Sequence, residues 1–167
     1  MIKEIVFQTQ PEMMKQMSTG GLFLTTKAKS VNTMVIGWGG VNYYFNIPIF
    51  IVPVRTSRFT HEQMESSTYF SISVPRSGEL KKELAFCGRK SGRDFDKFQE
   101  CKLTAQAGRV INVPVIKECY LHYECEIIYK QHLAPELLDS DIEHQFYQGS
   151  DYHTLYFGKI LDCYITK

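Results

Sequence analysis

Short apolar runs, several of them rich in β-branched residues, recur along the chain and predict a mainly β protein. Four predicted strands lie in the first half, at residues 21–26, 33–38, 47–54 and 69–74. Two longer strand patterns follow at residues 120–129 and 154–165, and Gly158 interrupts the second of them. Pro48 and Pro53 place the third run at a sheet edge or a bulge, because proline cannot donate to a ladder.

The helices are predicted to be few and short. Thr60 followed three residues later by Gln63 fits a capping box, which predicts a helix with Thr60 as its N-cap that runs to about Ser67. A second helical stretch covers residues 79–86, and residues 91–94 resemble a further helix start. Many strands with few helices and no alternating βαβ units favour a closed or nearly closed antiparallel barrel.

Composition supports one folded domain that spans residues 1–167. Hydrophobic residues make up 44% of the chain, which excludes disorder, and neither a repeat nor a linker divides it. A net charge of +1 favours neither nucleic acid nor an anionic membrane as a partner. No apolar run is long enough to span a bilayer, and the N-terminus carries the acidic Glu4 and lacks the long apolar core of a secretory signal. We therefore expect a cytoplasmic protein.

The five cysteines give no support to a metal centre. None forms a C-x-x-C pair, so zinc and iron–sulfur sites are not indicated, and the odd count argues against a disulfide framework. Reduced structural thiols are the favoured interpretation. The alternative is a reactive thiol beside a redox site, for which Cys87 is the best candidate.

The densest polar cluster joins the end of a predicted strand to a helix N-terminus. It contains two guanidinium groups and three hydroxyl groups, in the sequence Arg55-Thr56-Ser57-Arg58-Phe59-Thr60. Charge-assisted donors beside free helix N–H groups are what a phosphate requires. The alternative is a solvated loop with a threonine cap. The chain contains neither G-x-G-x-x-G nor a P-loop motif, so any nucleotide is held by a different device.

Three further segments carry candidate polar groups. Asn32 stands at the start of an apolar run, where it either occupies a turn with positive φ or lies beside a planar ligand. Residues 87–98 form either a solvated helix–turn–helix or a binding loop. His153 follows Asp151 and is either an ordinary surface histidine or a proton donor or substrate contact.

Taken in order, these segments resemble the flavin reductase-like family, which includes the flavoredoxins. The resemblance runs from about Gly20 to the end of the chain. It rests on Thr25-Thr26, Asn32-x-Met34, Trp38, Pro53 to Thr60, Phe70 to Pro75, Cys87-Gly88, Ser91-Gly92 and Asp96-Lys97-Phe98. It implies a split β-barrel, antiparallel with Greek-key connections and a few short helices. It also implies a homodimer that binds FMN noncovalently near the subunit interface.

The resemblance further implies roles for particular residues. The strand past the flavin ring contributes Asn32, Thr33, Met34, Gly37 and Trp38; the phosphate loop contributes Arg55, Thr56, Ser57, Arg58 and Thr60; a further loop contributes Cys87, Ser91, Gly92 and Lys97. His153 is the candidate substrate contact. No catalytic side chain is assigned, because the flavin carries the redox chemistry.

Two departures from the family pattern bear on substrate access. Many members have a compact Gly-Asp-His before the last strand, where this chain reads Gly149-Ser150-Asp151-Tyr152-His153, and residues 42–48 are unusually aromatic. Three functions remain open. They are an NAD(P)H-dependent flavin oxidoreductase, a flavoredoxin-like electron carrier reduced by a protein partner, and a flavin-binding module without turnover. The related barrel of pyridoxamine-type oxidases matches less well.

Overall fold

Antiparallel strands form the framework of the chain. The structure, a computed structural model, describes residues 2–166. Its elements are α1 (Ile2–Thr19), β1 (Leu22–Lys27), β2 (Val31–Ile36), β3 (Gly40–Tyr44), β4 (Ile47–Arg55), α2 (Phe59–Ser66), β5 (Tyr69–Val74), α3 (Lys81–Arg89), α4 (Lys97–Glu100), β6 (Ala105–Gln106), β7 (Val115–Ile116), β8 (Leu121–His132), a 3₁₀ turn (Pro135–Leu137), α5 (Ser140–Phe146) and β9 (His153–Ile165). Seven strands form one sheet in the order β2-β1-β5-β8-β9-β4-β3, and β6 pairs with β7.

The main sheet curls on itself around an apolar core. Side chains from β2 and β4 line the same pocket, although four strands separate these two in the sheet order. The largest fully buried side chains include Phe50, Phe70, Tyr123 and Tyr156, which come from four different strands. Burial of this many aromatic rings supplies much of the hydrophobic free energy of folding.

Every predicted strand is present, with two differences in detail. The run predicted at residues 33–38 is a strand from Val31 to Ile36, so Gly37 and Trp38 lie just beyond its end. The long strand β9 continues through Gly158, which the pattern had marked as an interruption. A Cβ atom at Gly158 would lie 2.4 Å from the Phe70 ring, so this glycine makes room for a core side chain.

β4 lies between β9 and β3 and is not an edge strand as a whole, so the proline-based prediction of a sheet edge holds only locally, at the prolines themselves. The pairing registers explain how it tolerates two prolines. β9 pairs with β4 only from Ile49 onwards, and β3 pairs only as far as Ile51. Pro48 and Pro53 therefore each lie where one neighbouring strand is missing, so the lost N–H donor costs little.

The expectation of only short helices is wrong, because α1 contains 18 residues. Its buried side chains include Val6, Met13 and Met17, which join the main core cluster. Polar Thr9 and Gln16 are buried on the same face, which weakens the helical hydrophobic pattern. No helix within residues 2–166 is both long and apolar enough to cross a membrane.

A hairpin was missed for a local reason. β3 is joined to β4 through Phe45 and Asn46, which have φ values of 53° and 61°. Two consecutive residues with positive φ are typical of the type I′ turn, which usually contains Asn or Gly. An aromatic residue at the first of these positions concealed the turn.

Two predicted helix starts are corrected. The capping box at Thr60 is wrong, because α2 begins at Phe59 with Arg58 as its N-cap. Residues 91–94 form a turn, and the next helix instead begins at Lys97. There the Asp96 carboxylate accepts hydrogen bonds from the backbone N–H groups of Phe98 and Gln99, which is the usual role of an N-cap residue. The predicted 79–86 helix is present as α3, shifted toward the C-terminus.

Candidate functional site

A cavity of about 120 Å³ brings together nine of the predicted site residues. β2 contributes Asn32 and Met34. The segment entering α2 contributes Ser57, Arg58 and Thr60, and the region from α3 to α4 contributes Cys87, Ser91, Gly92 and Lys97. Three segments that are far apart in sequence thus form one small polar cavity.

Lys97 is a buried cation at the wall of this cavity. Its side chain is 5% exposed, and its Nζ donates to the carbonyl oxygens of Thr33 (2.8 Å) and Cys87 (2.9 Å). No ion pair to Lys97 occurs among residues 2–166. Burial lowers the pKa of Lys97, and the nearby charge of Arg58 lowers it further. A buried ammonium without an opposite charge is costly, so this cavity is suited to an anion.

Arg58 supplies a second cation to the same space. It is exposed, and its guanidinium makes neither a hydrogen bond nor an ion pair to any residue in the described chain. It is also the N-cap of α2, so the free N–H groups of the first turn lie beside it. Two cations and a helix N-terminus therefore border a cavity whose lining contains no carboxylate.

Asn32 and Gly92 lie against each other in the wall of the cavity. Asn32 lies in β2 opposite Thr26, so it does not occupy a turn with positive φ. Its side-chain amide donates to the Thr60 hydroxyl at 2.9 Å. A Cβ atom on Gly92 would lie 2.1 Å from the Asn32 Oδ1 atom, so only glycine lets the loop come this close.

The first half of the predicted phosphate loop contacts a carboxylate of the chain itself. Asp151 accepts hydrogen bonds from the Ser57 backbone N–H and hydroxyl (2.8 Å each) and from the Thr56 hydroxyl (3.2 Å). Arg55 lies 3.9 Å from the same carboxylate and donates to the carbonyl oxygens of Asp151 and Phe146. Burial raises the pKa of Asp151, but the hydrogen bonds from Ser57 and Thr56 outweigh it and leave the pKa below its ordinary value.

A second pocket, of about 200 Å³, adjoins the first and shares Met34 and Arg58 with it. Gly37, Trp38, Arg55 and His153 are among its other lining residues. The Trp38 side chain is 45% exposed, and its ring centroid lies 5.2 Å from those of Phe146 and His153. This pocket therefore offers an accessible aromatic surface beside the polar cavity.

His153 is the first residue of β9 and is buried. Its Nδ1 atom lies 2.8 Å from the Tyr147 hydroxyl. Burial, followed by the charge of Arg55, lowers the pKa of His153 to about 4. The imidazole is therefore neutral at physiological pH. The sequence did not indicate a role for Tyr147, because this residue is the C-cap of α5 and belongs to no recognisable motif.

Three predicted residues have roles that sequence position did not indicate. The Thr33 hydroxyl is buried and bonds to Leu24, so only the Thr33 carbonyl reaches Lys97. Thr56 faces Asp151. Cys87 is buried 3.8 Å from the Cys101 sulfur, and burial raises the pKa of its thiol to about 12. So little thiolate at neutral pH argues against a reactive Cys87.

The donor set here does not suit a metal. Within residues 2–166, no three His, Cys, Asp or Glu side chains are grouped so that they could hold an ion. The cavity is lined instead by cations, an amide and hydroxyl groups.

The chain matches the family described as the flavin reductase like domain over residues 14–167, and it therefore belongs to the flavin reductase-like family. It is also 29% identical over 130 residues to an uncharacterized protein of Archaeoglobus fulgidus. That match covers 78% of this chain and 63% of the relative, so the chain spans less than two thirds of the relative's length.

Solved structures of related proteins share the fold. A flavoredoxin from Methanosarcina acetivorans is 26% identical with a TM-score of 0.70, over 89% of this chain and 69% of that one. A putative flavin reductase with a split barrel domain from Shewanella frigidimarina is 17% identical with a TM-score of 0.70, over 95% and 75%. The NADH:FAD oxidoreductase SgcE6 of Streptomyces globisporus, in complex with NAD and FAD fragments, is 19% identical with a TM-score of 0.64, over 89% and 75%. The predicted split barrel is confirmed, with one helix longer than expected.

Proposed function

We propose that the chain binds FMN, with the phosphate in the cavity between Lys97 and Arg58. The observation that carries the proposal is that both cations border this cavity and neither is paired with a carboxylate of the described chain. An FMN phosphate carries close to two negative charges and several acceptor oxygens. It would therefore offset the cost of burying the Lys97 ammonium and accept charge-assisted hydrogen bonds.

The flavin ring would lie along the second pocket, past Met34, Gly37 and Trp38. Gly37 supports this placement, because a Cβ atom there would meet no other atom within 4 Å, which leaves space on that side. Bound flavin supplies the hydride and electron chemistry, whereas the chain supplies orientation and electrostatics. Asn32, Gly92 and the first turn of α2 would fix the polar end, while Trp38 would cover an apolar face.

The reaction we favour is electron transfer from NAD(P)H through the flavin to an acceptor, that is, an NAD(P)H-dependent flavin oxidoreductase. Two features support it. One solved structure that shares the fold is described as an NADH:FAD oxidoreductase in complex with NAD and FAD fragments. The second pocket also combines an aromatic surface with cationic Arg58 and neutral His153, which suits a planar nicotinamide attached to phosphate groups.

A flavoredoxin-like electron carrier is the second candidate, and a surface feature favours it. Leu137, Ile142 and Phe146 are 82%, 47% and 38% exposed, and the Phe146 ring contacts Trp38. Exposed apolar side chains beside a redox pocket suit a docked protein partner. A flavin-binding module without turnover is the third reading.

Purification under native conditions followed by anaerobic reduction would decide among these functions. We expect a yellow protein with about one FMN per chain and, after flavin removal, tighter binding of FMN than of riboflavin, which lacks the phosphate. Bleaching by NADH or NADPH would support the oxidoreductase, whereas bleaching only by a reduced protein would support the carrier. A colourless protein that takes up no added FMN would refute the proposal.

We also propose that residues 1–167 act as one domain that forms a homodimer in the cytoplasm. The edge strand β3 and its turn expose Tyr43, Tyr44 and Phe45 at 48%, 56% and 61%, which suits an interface. The five free cysteines fit a reducing compartment. Sedimentation at micromolar concentration should give twice the chain mass, and a monomer that still binds FMN tightly would refute the dimer.

A further inference from the structure

Tyr147 and His153 form a buried pair at the edge of the second pocket. The Tyr147 side chain is 8% exposed, the His153 side chain 7%, and the hydroxyl oxygen lies 2.8 Å from Nδ1. Tyr147 is itself held between two groups. The Arg55 guanidinium lies 5.1 Å from its ring centroid, and the Tyr152 ring stacks on it at 4.9 Å. The hydroxyl is therefore fixed against the imidazole.

The direction of this hydrogen bond follows from the number of available partners. Within residues 2–166, the Tyr147 hydroxyl has no hydrogen-bond partner other than His153. If Nδ1 carried a proton and donated it, the buried hydroxyl proton would have no acceptor, which is costly. The hydroxyl therefore donates to Nδ1, and the single proton of the neutral imidazole belongs on Nε2.

The opposite side of the imidazole faces the pocket. His153 lines that pocket together with Trp38 and Arg58, and Nε2 makes no hydrogen bond to any residue the structure describes. Nε2 is also not among the fully buried polar atoms that lack a partner. Nε2 is therefore accessible. Because His153 is otherwise buried, the pocket that it lines is the space in which Nε2 can meet a ligand.

We infer that Tyr147 is a positioning residue that holds His153 as the Nε2–H tautomer. The second pocket then presents a neutral N–H donor to an acceptor oxygen of the molecule that binds there beside the flavin. The matching chemical class is a planar molecule with a carbonyl or carboxamide oxygen. The inference rests on the proposed function for the identity of that ligand, but the tautomer itself is a property of the chain alone. The positive charges of Arg55 and Arg58 disfavour protonation of the imidazole to an imidazolium. The negative charge of Asp151 favours it, but its effect is smaller than that of Arg55.

The direct test is the tautomer. ¹⁵N-labelled protein without added ligand is examined by long-range ¹H–¹⁵N correlation at pH 7, because the protonated and bare nitrogens of a neutral imidazole have well-separated shifts. We expect His153 of the wild type to carry its proton on Nε2. Tyr147→Phe should lose this preference and give a mixture of both tautomers. Protonation on Nδ1 in the wild type would overturn the inference.

Tyr152→Phe is the matched control. The Tyr152 hydroxyl donates to Glu143 at 2.7 Å and does not contact His153, although its ring packs on Tyr147 in the same way. A merely structural role of this aromatic stack would disturb both variants equally. The inference requires that Tyr152→Phe retains the wild-type tautomer, and an equal change in both variants would contradict it.

Kinetics provide a second measurement. If NAD(P)H reduces the protein, Tyr147→Phe should raise KM for the nicotinamide roughly two- to fivefold through loss of one neutral hydrogen bond, with a smaller change in kcat. An unchanged KM beside an altered tautomer would refute the donor role. A wild type that is not reduced by NAD(P)H would remove the reductase proposal and leave the tautomer result standing.

Discussion

Two arginines three residues apart, one at the end of β4 and one at the N-cap of α2, have different electrostatic surroundings. Arg55 lies beside the Asp151 carboxylate and donates to two carbonyl oxygens. Arg58 has no such partner and borders both pockets. The sequence places their charges together, but the fold pairs one with a carboxylate and leaves the other unpaired, although both side chains line the second pocket. Which of two neighbouring cations is available to a ligand depends on a residue almost a hundred positions away.

The two regions therefore differ in what their polar groups do. Around Arg55, the hydrogen bonds of Ser57 and Thr56 to Asp151 connect the end of β4 to the segment that immediately precedes β9. Around Arg58, the equivalent charge is balanced by nothing in the described chain, and buried Lys97 adds to it. The first region stabilises the fold, and the second is left for a ligand.

The largest effect is expected at Lys97. Lys97→Met keeps the length of the side chain and removes the buried ammonium that would contact the phosphate. A charged hydrogen bond contributes about 1.5–3 kcal/mol, and burial places this one at the upper end, so FMN affinity should fall about a hundredfold. Titration of FMN into the apoprotein, followed by flavin fluorescence, measures the loss.

Lys90→Met is the matched control for that change. Lys90 also lines the cavity but is exposed, and its ammonium lies 5.4 Å from the Phe95 ring centroid. Its replacement should change FMN affinity only slightly, because its ammonium lies over the Phe95 ring and, unlike Arg58, it does not stand at the N-terminus of α2. Equal losses for the two variants would mean that burial does not distinguish them. Circular dichroism should establish that Lys97→Met remains folded, since two carbonyl groups lose their donor.

The next effect separates the two arginines. Arg58→Ala should weaken FMN binding about ten- to a hundredfold and leave riboflavin nearly unaffected, because the proposed partner of the guanidinium is the phosphate, which riboflavin lacks. Arg55→Ala should instead lower thermal stability and affect both ligands alike. Titrating both ligands into both variants and the wild type tests this. An unchanged FMN affinity in Arg58→Ala would mean that Arg58 is an ordinary solvated side chain.

The strands of this fold could be predicted from sequence because alternation and β-branched runs report burial directly. The longest element that escaped, α1, carries Thr9 and Gln16 on its buried face, where Thr9 bonds to the Tyr123 hydroxyl. A polar residue satisfied by a tertiary hydrogen bond cannot be distinguished in sequence from one that faces solvent. The interior position of β4 also could not be predicted from its sequence. Its two prolines are tolerated because β3 and β9 each pair with only part of β4, and where those pairings end depends on the other strands.

The candidate site shows a similar division. Nine predicted residues line one cavity, because each lies in a short segment whose local polarity is visible in the sequence. The assignment of Arg55 and Thr56 to the phosphate remains a prediction, but their donors are directed to Asp151 in this structure. That pairing and the contact between Tyr147 and His153 depend on tertiary geometry. Neither has a local sequence signal.

Asp151→Asn should have a moderate effect on stability and a small one on FMN binding. The variant keeps the shape but loses charge-assisted hydrogen bonds, which should lower the free energy of unfolding by about 1–2 kcal/mol at pH 7. Because the folded-state pKa of Asp151 lies below its ordinary value, this stabilisation is full above about pH 4 and is lost as pH falls through the folded-state pKa. Urea unfolding at pH 7, 5 and 3 should show the two proteins converge only at the lowest pH. A constant difference would exclude the carboxylate as its source.

The smallest effect is expected at Arg93, which lines the same cavity as Arg58 but has a partner. Its guanidinium lies 3.2 Å from the Glu62 carboxylate and donates to the Ser57 carbonyl, and both side chains of the ion pair are largely exposed. An exposed ion pair contributes about 0–1 kcal/mol, and a guanidinium already neutralised adds little potential at a phosphate, so Arg93→Ala should reduce FMN affinity less than about fivefold. The same titration, with riboflavin alongside, measures it. If Arg93→Ala weakened FMN as strongly as Arg58→Ala and spared riboflavin, then pairing with a carboxylate would not decide which cation serves the ligand, and the contrast between Arg55 and Arg58 would lose its explanation.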